Sequence, residues 1–393
     1  MTGRFGHALL DLWLLDPEVT YLNHGTLGAT PRRVLDLQQS LRNEIERQPA
    51  RVLYREIIGM VGAERPGKTR LRAAADAVAD FAGAEGRDVV FVDNATTGVN
   101  AVLRSLDLRE GDELLLTDHA YGGVLRAARH AVRRSGARVR TVELPYPKAR
   151  GDAIVERIAT ALRPSTRLVI VDHITSDTAP VLPLGEIAAA CRDRGVPVLA
   201  DGAHGPGALR LDVPALGVDW YAADLHKWAF APRSCGFLWA PPERQADLHP
   251  AVISWGLDEG FHEEFRWVGT RDPTNYLAAP EGIAFLRELG ESSVYEHNHA
   301  LVWEAANTLA ELLGTQLGLE ESMVAAMVTV PMPEELGATE LDAERLRDAH
   351  LFEDRIEVAV RARGGRLWAR ISAQVYNELG DYERLASALD RRR

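Results

Sequence analysis

From residue 66 onward, short apolar runs alternate with stretches whose apolar positions recur every three or four residues. Leu71, Ala75, Val78 and Phe81 have that helical spacing. The runs "DVVFV" (88–92), "DELLLT" (112–117), residues 138–143, "RLVIV" (167–171) and "VPVLA" (196–200) predict strands, and "VDWYAA" predicts one more. Helices are expected between them at 97–108, 121–135, 152–162 and 184–194. Strands that are apolar throughout, rather than at every second residue, belong to a mostly parallel sheet with helices on both faces. Upstream, "ATPRRVLDLQQSLRNEIER" predicts a helix with Thr30 as cap, Pro31 at its first position, and Val34, Leu37, Leu41 and Ile45 on one face. Past about residue 275 the rhythm changes to long helices (278–289, 295–313) and then to the strand candidates "MVAAMVTV" and "LWARIS". The pattern predicts an α/β protein with a large domain over 16–274 and a smaller C-terminal α+β domain over 275–393.

Composition narrows the partners. The chain has 393 residues, 46% of them hydrophobic, which is enough for a sizeable core. A formal charge of −12 argues against a nucleic-acid backbone as the main partner, which requires a basic face. Only Cys191 and Cys235 occur, too few for a disulfide framework and suited to a reducing compartment. No stretch is apolar enough to span a membrane, so a cytoplasmic protein without membrane contact is expected.

Candidate chemistry gathers where the strands end. In an open α/β sheet, ligands bind at the carboxyl ends of the strands. Five of these ends carry polar sets: Asp93-Asn94-Ala95-Thr96-Thr97-Gly98, Asp118-His119-Ala120-Tyr121, Asp172-His173-Ile174-Thr175-Ser176, Asp201-Gly202-Ala203-His204 and Asp224-Leu225-His226-Lys227. Any one set reads as an ordinary turn or helix cap, and a single histidine as a hydrogen-bonded structural residue. Five sets on one edge of a parallel sheet call for a ligand. Thr96 and Thr97, at a helix start, suit a phosphate. Asp201 suits a protonated ring nitrogen, and Lys227 can condense with an aldehyde. Together these describe a site for pyridoxal 5′-phosphate (PLP).

At these residues the chain resembles a known family. "YLNHGTLGATP", "NATTGVN", "SDTAPVLP", "ADGAHGPG", "DLHKW" and "GTRDP" are similar, in family order, to the class V aminotransferases of PLP-dependent fold type I. The branch most resembled is the isopenicillin N epimerase-like group, which includes PLP enzymes of lincosamide biosynthesis. The resemblance implies Lys227 as the Schiff-base lysine, Asp201 as the ring-nitrogen partner with His204 in support, and His119 stacked on the ring. It implies Ser176 at the phenolic oxygen, and Thr96, Thr97 and His226 around the phosphate. Gly269 and Thr270 would reach the phosphate of a partner subunit, making a homodimer with shared sites. Arg370 would clamp the substrate carboxylate, and Asn23 and His24, in an N-terminal segment over 1–30, would border the substrate. One position departs: where the family carries serine or asparagine, three residues before the lysine, this chain has Asp224. Of two arrangements, Asp224 turned away to cap the following segment or pair with an arginine, or Asp224 sharing a proton with a nearby group such as His226, we expect the first.

The implied reaction acts at Cα of an amino acid or a cysteine S-conjugate, in secondary metabolism: C–S β-elimination or epimerisation. Decarboxylation-coupled oxidative deamination and transamination are alternatives on the same scaffold. Family desulfurases carry a cysteine before the C-terminal arginine motif, and residues 315–369 contain none. A rival class comes from "GAERPGKT", Gly62 to Thr69, which satisfies the P-loop pattern of a nucleotide hydrolase. That reading requires a strand ending at Gly62, and "YREIIGMV" is a poor one. A metal hydrolase built on the Asp and His sets lacks HxH or HxxxH spacing, and no metal is expected.

Overall fold

The strand ends do share one edge. The structure, a computed structural model, describes residues 5–59, 68–148 and 150–392. A two-residue strand β1 (Thr20–Tyr21) precedes the main sheet, which is formed by β2 (Val89–Val92), β3 (Glu113–Thr117), β4 (Arg138–Val142), β5 (Thr166–Asp172), β6 (Val198–Asp201), β7 (Trp220–Asp224) and β8 (Gly236–Trp239). Their order across the sheet is β2-β8-β7-β6-β5-β3-β4. Strands β3 to β7 pair in parallel, while β8 is antiparallel to both β7 and β2. β2 therefore runs with the parallel set, and all five polar sets sit at the same edge.

Sequence periodicity missed β8. "GFLW" is four apolar residues with no amphipathic signature, and only its insertion between β2 and β7 makes it a strand.

Burial explains why the strands are apolar throughout. Phe91, Leu115, Val169, Val171, Ala200 and Tyr221 pack on one face of the sheet. Val90, Val92, Leu114, Leu116, Ile170 and Ala222 pack on the other. Successive side chains point to opposite faces, so a sheet covered twice needs an apolar residue at every position. The first face is covered by α2 (Arg70–Phe81), α5 (Gly151–Ala161) and α6 (Leu184–Arg192), and the second by α3 (Ala95–Ser105) and α4 (Gly122–Ala131).

Two glycines set the distance between α3 and the sheet. A Cβ on Gly98 would stand 2.8 Å from the Ala222 Cβ. One on Gly236 would lie 2.3 Å from the Ala223 carbonyl oxygen and 3.1 Å from the Asn94 Cα. Hydrogen at both positions lets the start of α3 rest against the end of β7.

The C-terminal part is an antiparallel sheet in the order β11 (Ala359–Arg363), β12 (Arg366–Ser372), β9 (Met327–Pro331), while β10 (Ile356–Glu357) pairs with β1. This ties the N-terminal segment to the C-terminal part, and one continuous apolar core joins both lobes.

Two local expectations need correction. Arg32–Arg47 form α1, but the Thr30 hydroxyl donates to the Ala231 carbonyl at 3.2 Å instead of capping the helix. Residues Ala50–Ile58 are a π-helix, so no strand leads into "GAERPGKT". Most of that motif lies outside the described residues. Of its described residues, Lys68 pairs with Asp76 at 2.6 Å and Thr69 caps α2.

Candidate active site

Lys227 follows β7 in a turn pinned from several sides. The amides of Leu225 and His226 both donate to the Cys235 carbonyl, as does His226 Nδ1 at 3.0 Å. Leu225, Trp228 and Phe230 are buried and anchor the turn in the core. His24 Nε2 donates to the Lys227 carbonyl at 3.0 Å, which leaves Nδ1 to accept from the Tyr376 hydroxyl at 2.8 Å. The Lys227 ammonium stands free of backbone contacts, 3.3 Å from Asp224 Oδ2 and 3.3 Å from His204 Nε2. It opens into a cavity of about 310 Å³ along with Asn94, Thr96, Asp201, Asp224 and Arg370.

A pair of carboxylates lies in the floor. Asp172 and Asp201 are partners in register at the ends of β5 and β6, and both are buried. Burial pushes Asp201 up to about 6, and burial plus the Asp201 charge pushes Asp172 well above its usual range. Asp201 Oδ1 accepts from the Ala203 amide at 3.1 Å.

Arg370, on β12, forms the opposite wall. Its guanidinium donates to the Ser176 carbonyl, the Thr26 hydroxyl and, at 3.1 Å, Asn23 Oδ1. Nε has no partner, and among the described residues no carboxylate comes within salt-bridge distance. Burial lowers its pKa to about 10, so it remains a cation at neutral pH. A buried cation among neutral acceptors is a ready receptor for a planar anion.

The start of α3 supplies backbone donors. Asn94 Oδ1 accepts from the Thr97 amide at 2.9 Å and from the Thr97 hydroxyl at 3.1 Å. Thr97 is thereby committed to the cap and does not line the cavity, whereas Thr96 does. Asp224 does not turn away, as the sequence reading expected. Its Oδ1 accepts from the Ala95 amide at 2.7 Å, its Oδ2 lies 3.3 Å from Lys227 Nζ and 3.8 Å from His226 Nε2 in the segment that follows, and among the described residues no arginine pairs with it.

Other predicted residues also fall differently. His119 is buried behind the wall, with Nδ1 bonded to Thr178 Oγ1 at 2.6 Å and its ring edge-on to Tyr146; Tyr121 reaches the cavity in its place. Burial lowers His119 to about 4. His204 touches Lys227 and Trp228 rather than Asp201. His24 supports the lysine turn from behind, and Asn23 works through Arg370. Ser176 and His226 line the cavity, but Gly269 and Thr270 do not, and Thr270 is exposed.

Sequence reasoning missed Thr26, Asp177 and Arg361 on the wall, and gave Tyr121 and Asp172, both in its strand-end sets, no part in a PLP site. Arg361, paired with Asp177 at 3.1 Å, carried no local signal because it arrives from the C-terminal sheet. A second cavity of about 380 Å³ adjoins the first and shares Tyr121, Asp177 and Arg361 with it.

Known proteins resemble this chain in sequence and fold. The profile of the family "Aminotransferase class-V" matches residues 30–380. A probable chloroplastic L-cysteine desulfhydrase of Arabidopsis thaliana is 34% identical over 404 residues, covering 95% of this chain and 83% of that protein. Isopenicillin N epimerase of Streptomyces clavuligerus is 32% identical over 395 residues, covering 96% of each. Among solved structures, the cystine C–S lyase C-DES in complex with its product cysteine persulfide superposes with a TM-score of 0.78 at 26% identity, covering 94% of this chain and 97% of that one. A variant of the same lyase carries glycine covalently linked to its PLP cofactor. None of these relatives supports nucleotide hydrolysis. With the parallel sheet, the lysine after β7 and a match over most of its length, the chain belongs to the class V aminotransferase family and has the fold-type-I architecture.

Proposed function

We propose that this protein is a PLP-dependent lyase that removes a sulfur group from Cβ of cysteine or a cysteine S-conjugate. The observation that carries the reading is the uncompensated Arg370 guanidinium in the same cavity as the free Lys227 amine. A carboxylate anchor opposite an amine is what an α-amino acid requires. The donor set also fits PLP: a reactive amine, a buried carboxylate for a ring nitrogen, and helix-start donors with Thr96 for a phosphate. PLP, when bound, supplies the electron sink for the charge left at Cα.

The protein's own residues have separable tasks. Arg370 holds the substrate carboxylate, and Asn23 and Thr26 hold Arg370. Lys227, once free and neutral, takes the Cα proton. Asp201 in the floor would hold a proton on the ring nitrogen of PLP, and it is buried beside Asp172. The second cavity offers room for a bulky side chain. The lyase and desulfhydrase relatives support β-elimination as the outcome. Epimerisation, in which the proton returns to the opposite face, is the second reading, supported by the epimerase relative that matches end to end.

We also place the boundary between the lobes near residue 275 and take the active unit to be a homodimer. The exposed Gly269–Thr270 segment supports the second point, as does an apolar surface run of Val252, Ile253 and Trp255. Buried free thiols at Cys191 and Cys235 support a cytoplasmic placement; among the described residues no helix is long and apolar enough to cross a membrane.

The test is direct. Borohydride reduction of the purified protein, followed by peptide mapping, should leave a pyridoxyl label on Lys227. Incubation with cysteine S-conjugates should then release thiol and pyruvate, followed by mass spectrometry, while chiral chromatography watches for inverted substrate. A label elsewhere removes the cofactor reading. Inverted substrate without thiol moves the assignment to the epimerase.

A further inference from the structure

The anion cradle at the start of α3 already holds an anion of the protein's own. Asp224 is the last residue of β7 and only 5% exposed. One carboxylate oxygen accepts from the Ala95 amide at 2.7 Å, and the other lies 3.3 Å from Lys227 Nζ and 3.8 Å from His226 Nε2. This is not an accident of one rotamer. Asp224 stands opposite Gly236 in the β7–β8 register, and any Cβ at Gly236 would press on Asn94 and Ala223. The glycine brings the helix start against the strand end that bears the carboxylate.

Two side chains face the Lys227 nitrogen, Asp224 from one side and His204 from the other. Trp228 Nε1–H donates to His204 Nδ1 at 3.4 Å, which leaves the imidazole hydrogen on Nε2, facing the lysine nitrogen at 3.3 Å. Asp201 and Arg370 face the same cavity from the floor and the far wall. Within 4 Å of Asp224, the charged partners among the described residues are Lys227 and, when protonated, His226.

Resting on the PLP reading, we propose that Asp224 is a positioning residue that occupies one donor of the phosphate cradle and holds Lys227 as its counter-ion. The consequence is a deliberately weakened grip on the cofactor phosphate. A phosphate seated on Thr96 and the α3 start must share the cradle with a carboxylate that already uses the Ala95 amide. Two anions at close range in a partly buried site repel strongly. A neutral side chain at 224 removes that repulsion, whether or not its oxygen still accepts from the Ala95 amide. Occupancy of this enzyme therefore follows the supply of free PLP more closely than it would with serine or asparagine at that position.

The experiment uses the full-length protein stripped of cofactor, titrated calorimetrically with PLP, with pyridoxal and with inorganic phosphate. Asp224→Asn and Asp224→Ser serve as two independent variants, each checked for an unchanged thermal unfolding profile. Both should bind PLP and inorganic phosphate about tenfold more tightly or better, while affinity for pyridoxal, which lacks the phosphate, moves less than about threefold. Unchanged or weaker binding of PLP and phosphate in the folded variants overturns the proposal. An equal gain for pyridoxal also overturns it, because the carboxylate would then act on the lysine alone. Wild-type protein that binds neither PLP nor pyridoxal removes the cofactor reading itself, a result separate from any effect of the variants.

Discussion

Arg370 is a cation held at 2% exposure by neutral oxygens from Ser176, Thr26 and Asn23. Burying a charge without an opposite charge is costly, and the cost is recovered when an anion binds. Arg370→Ala should lower kcat/KM for amino-acid substrates by about 30- to 700-fold, equivalent to roughly 2–4 kcal/mol for a lost charge-assisted bidentate contact. Arg370→Lys should not restore it, because a point charge cannot reproduce the planar fork. Both variants should keep the cofactor, so the test is steady-state kinetics on loaded protein; an intact kcat/KM would move the anchor elsewhere. Asn23→Ala removes one of the acceptors that orient Arg370, together with the Asn23 bonds to Thr26 and Glu357. A KM rise of about two- to tenfold is expected from a single hydrogen bond.

Helix starts and strand ends carry the site, and the spacing between them is set by small residues. Gly236→Ala places a Cβ 2.3 Å from a backbone oxygen, which cannot rotate away. Loss of about 1–3 kcal/mol in urea unfolding is expected, as for other overpacked positions. The strand ends also make stability depend on pH. Burial keeps His24, His119 and His173 neutral down to about pH 4, and His204 below its usual range as well. Unfolded, these four imidazoles take up protons near pH 6.5. Asp201 and Asp172 act in the opposite sense, since their raised pKa values make the folded protein bind those protons first. The four imidazoles outnumber the two carboxylates, and burial lowers His297 and His350 as well, so the unfolded state binds more protons between about pH 6.5 and 4. Stability should therefore fall on acidification through that window. Urea midpoints of cofactor-free protein at pH 7, 6 and 5 check the sign, and a rising midpoint would contradict it.

For the whole molecule, the Gly269–Thr270 segment matters because it lies off its own cavity and exposes Thr270. If it completes a partner's site, Lys227→Ala and Thr270→Ala variants should each be weak alone and complement when mixed. A hybrid dimer has one intact site of two, so random exchange should return about a quarter of wild-type activity. Sedimentation should show a dimer; a fully active monomer would refute the shared site.

By itself, the sequence determined the parallel sheet, because a sheet buried on both faces leaves uninterrupted apolar runs such as "RLVIV" and "ELLLT". It also determined the edge where chemistry gathers, since turn residues such as Asp201 and Asp224 must follow each strand. Only the tertiary structure decided which of these side chains meet. Thr96 rather than Thr97, and Tyr121 rather than His119, reach the cavity. Asn94 and Thr178 had already engaged the others, and no local pattern records those partners. Strand β8 and Arg361 come from distant parts of the chain, and the two glycines that bring Asp224 onto α3 look like any others in one dimension. Periodicity reports which way a residue points within its own element; contact across elements depends on how close their backbones come, and that distance is a property of the packed molecule.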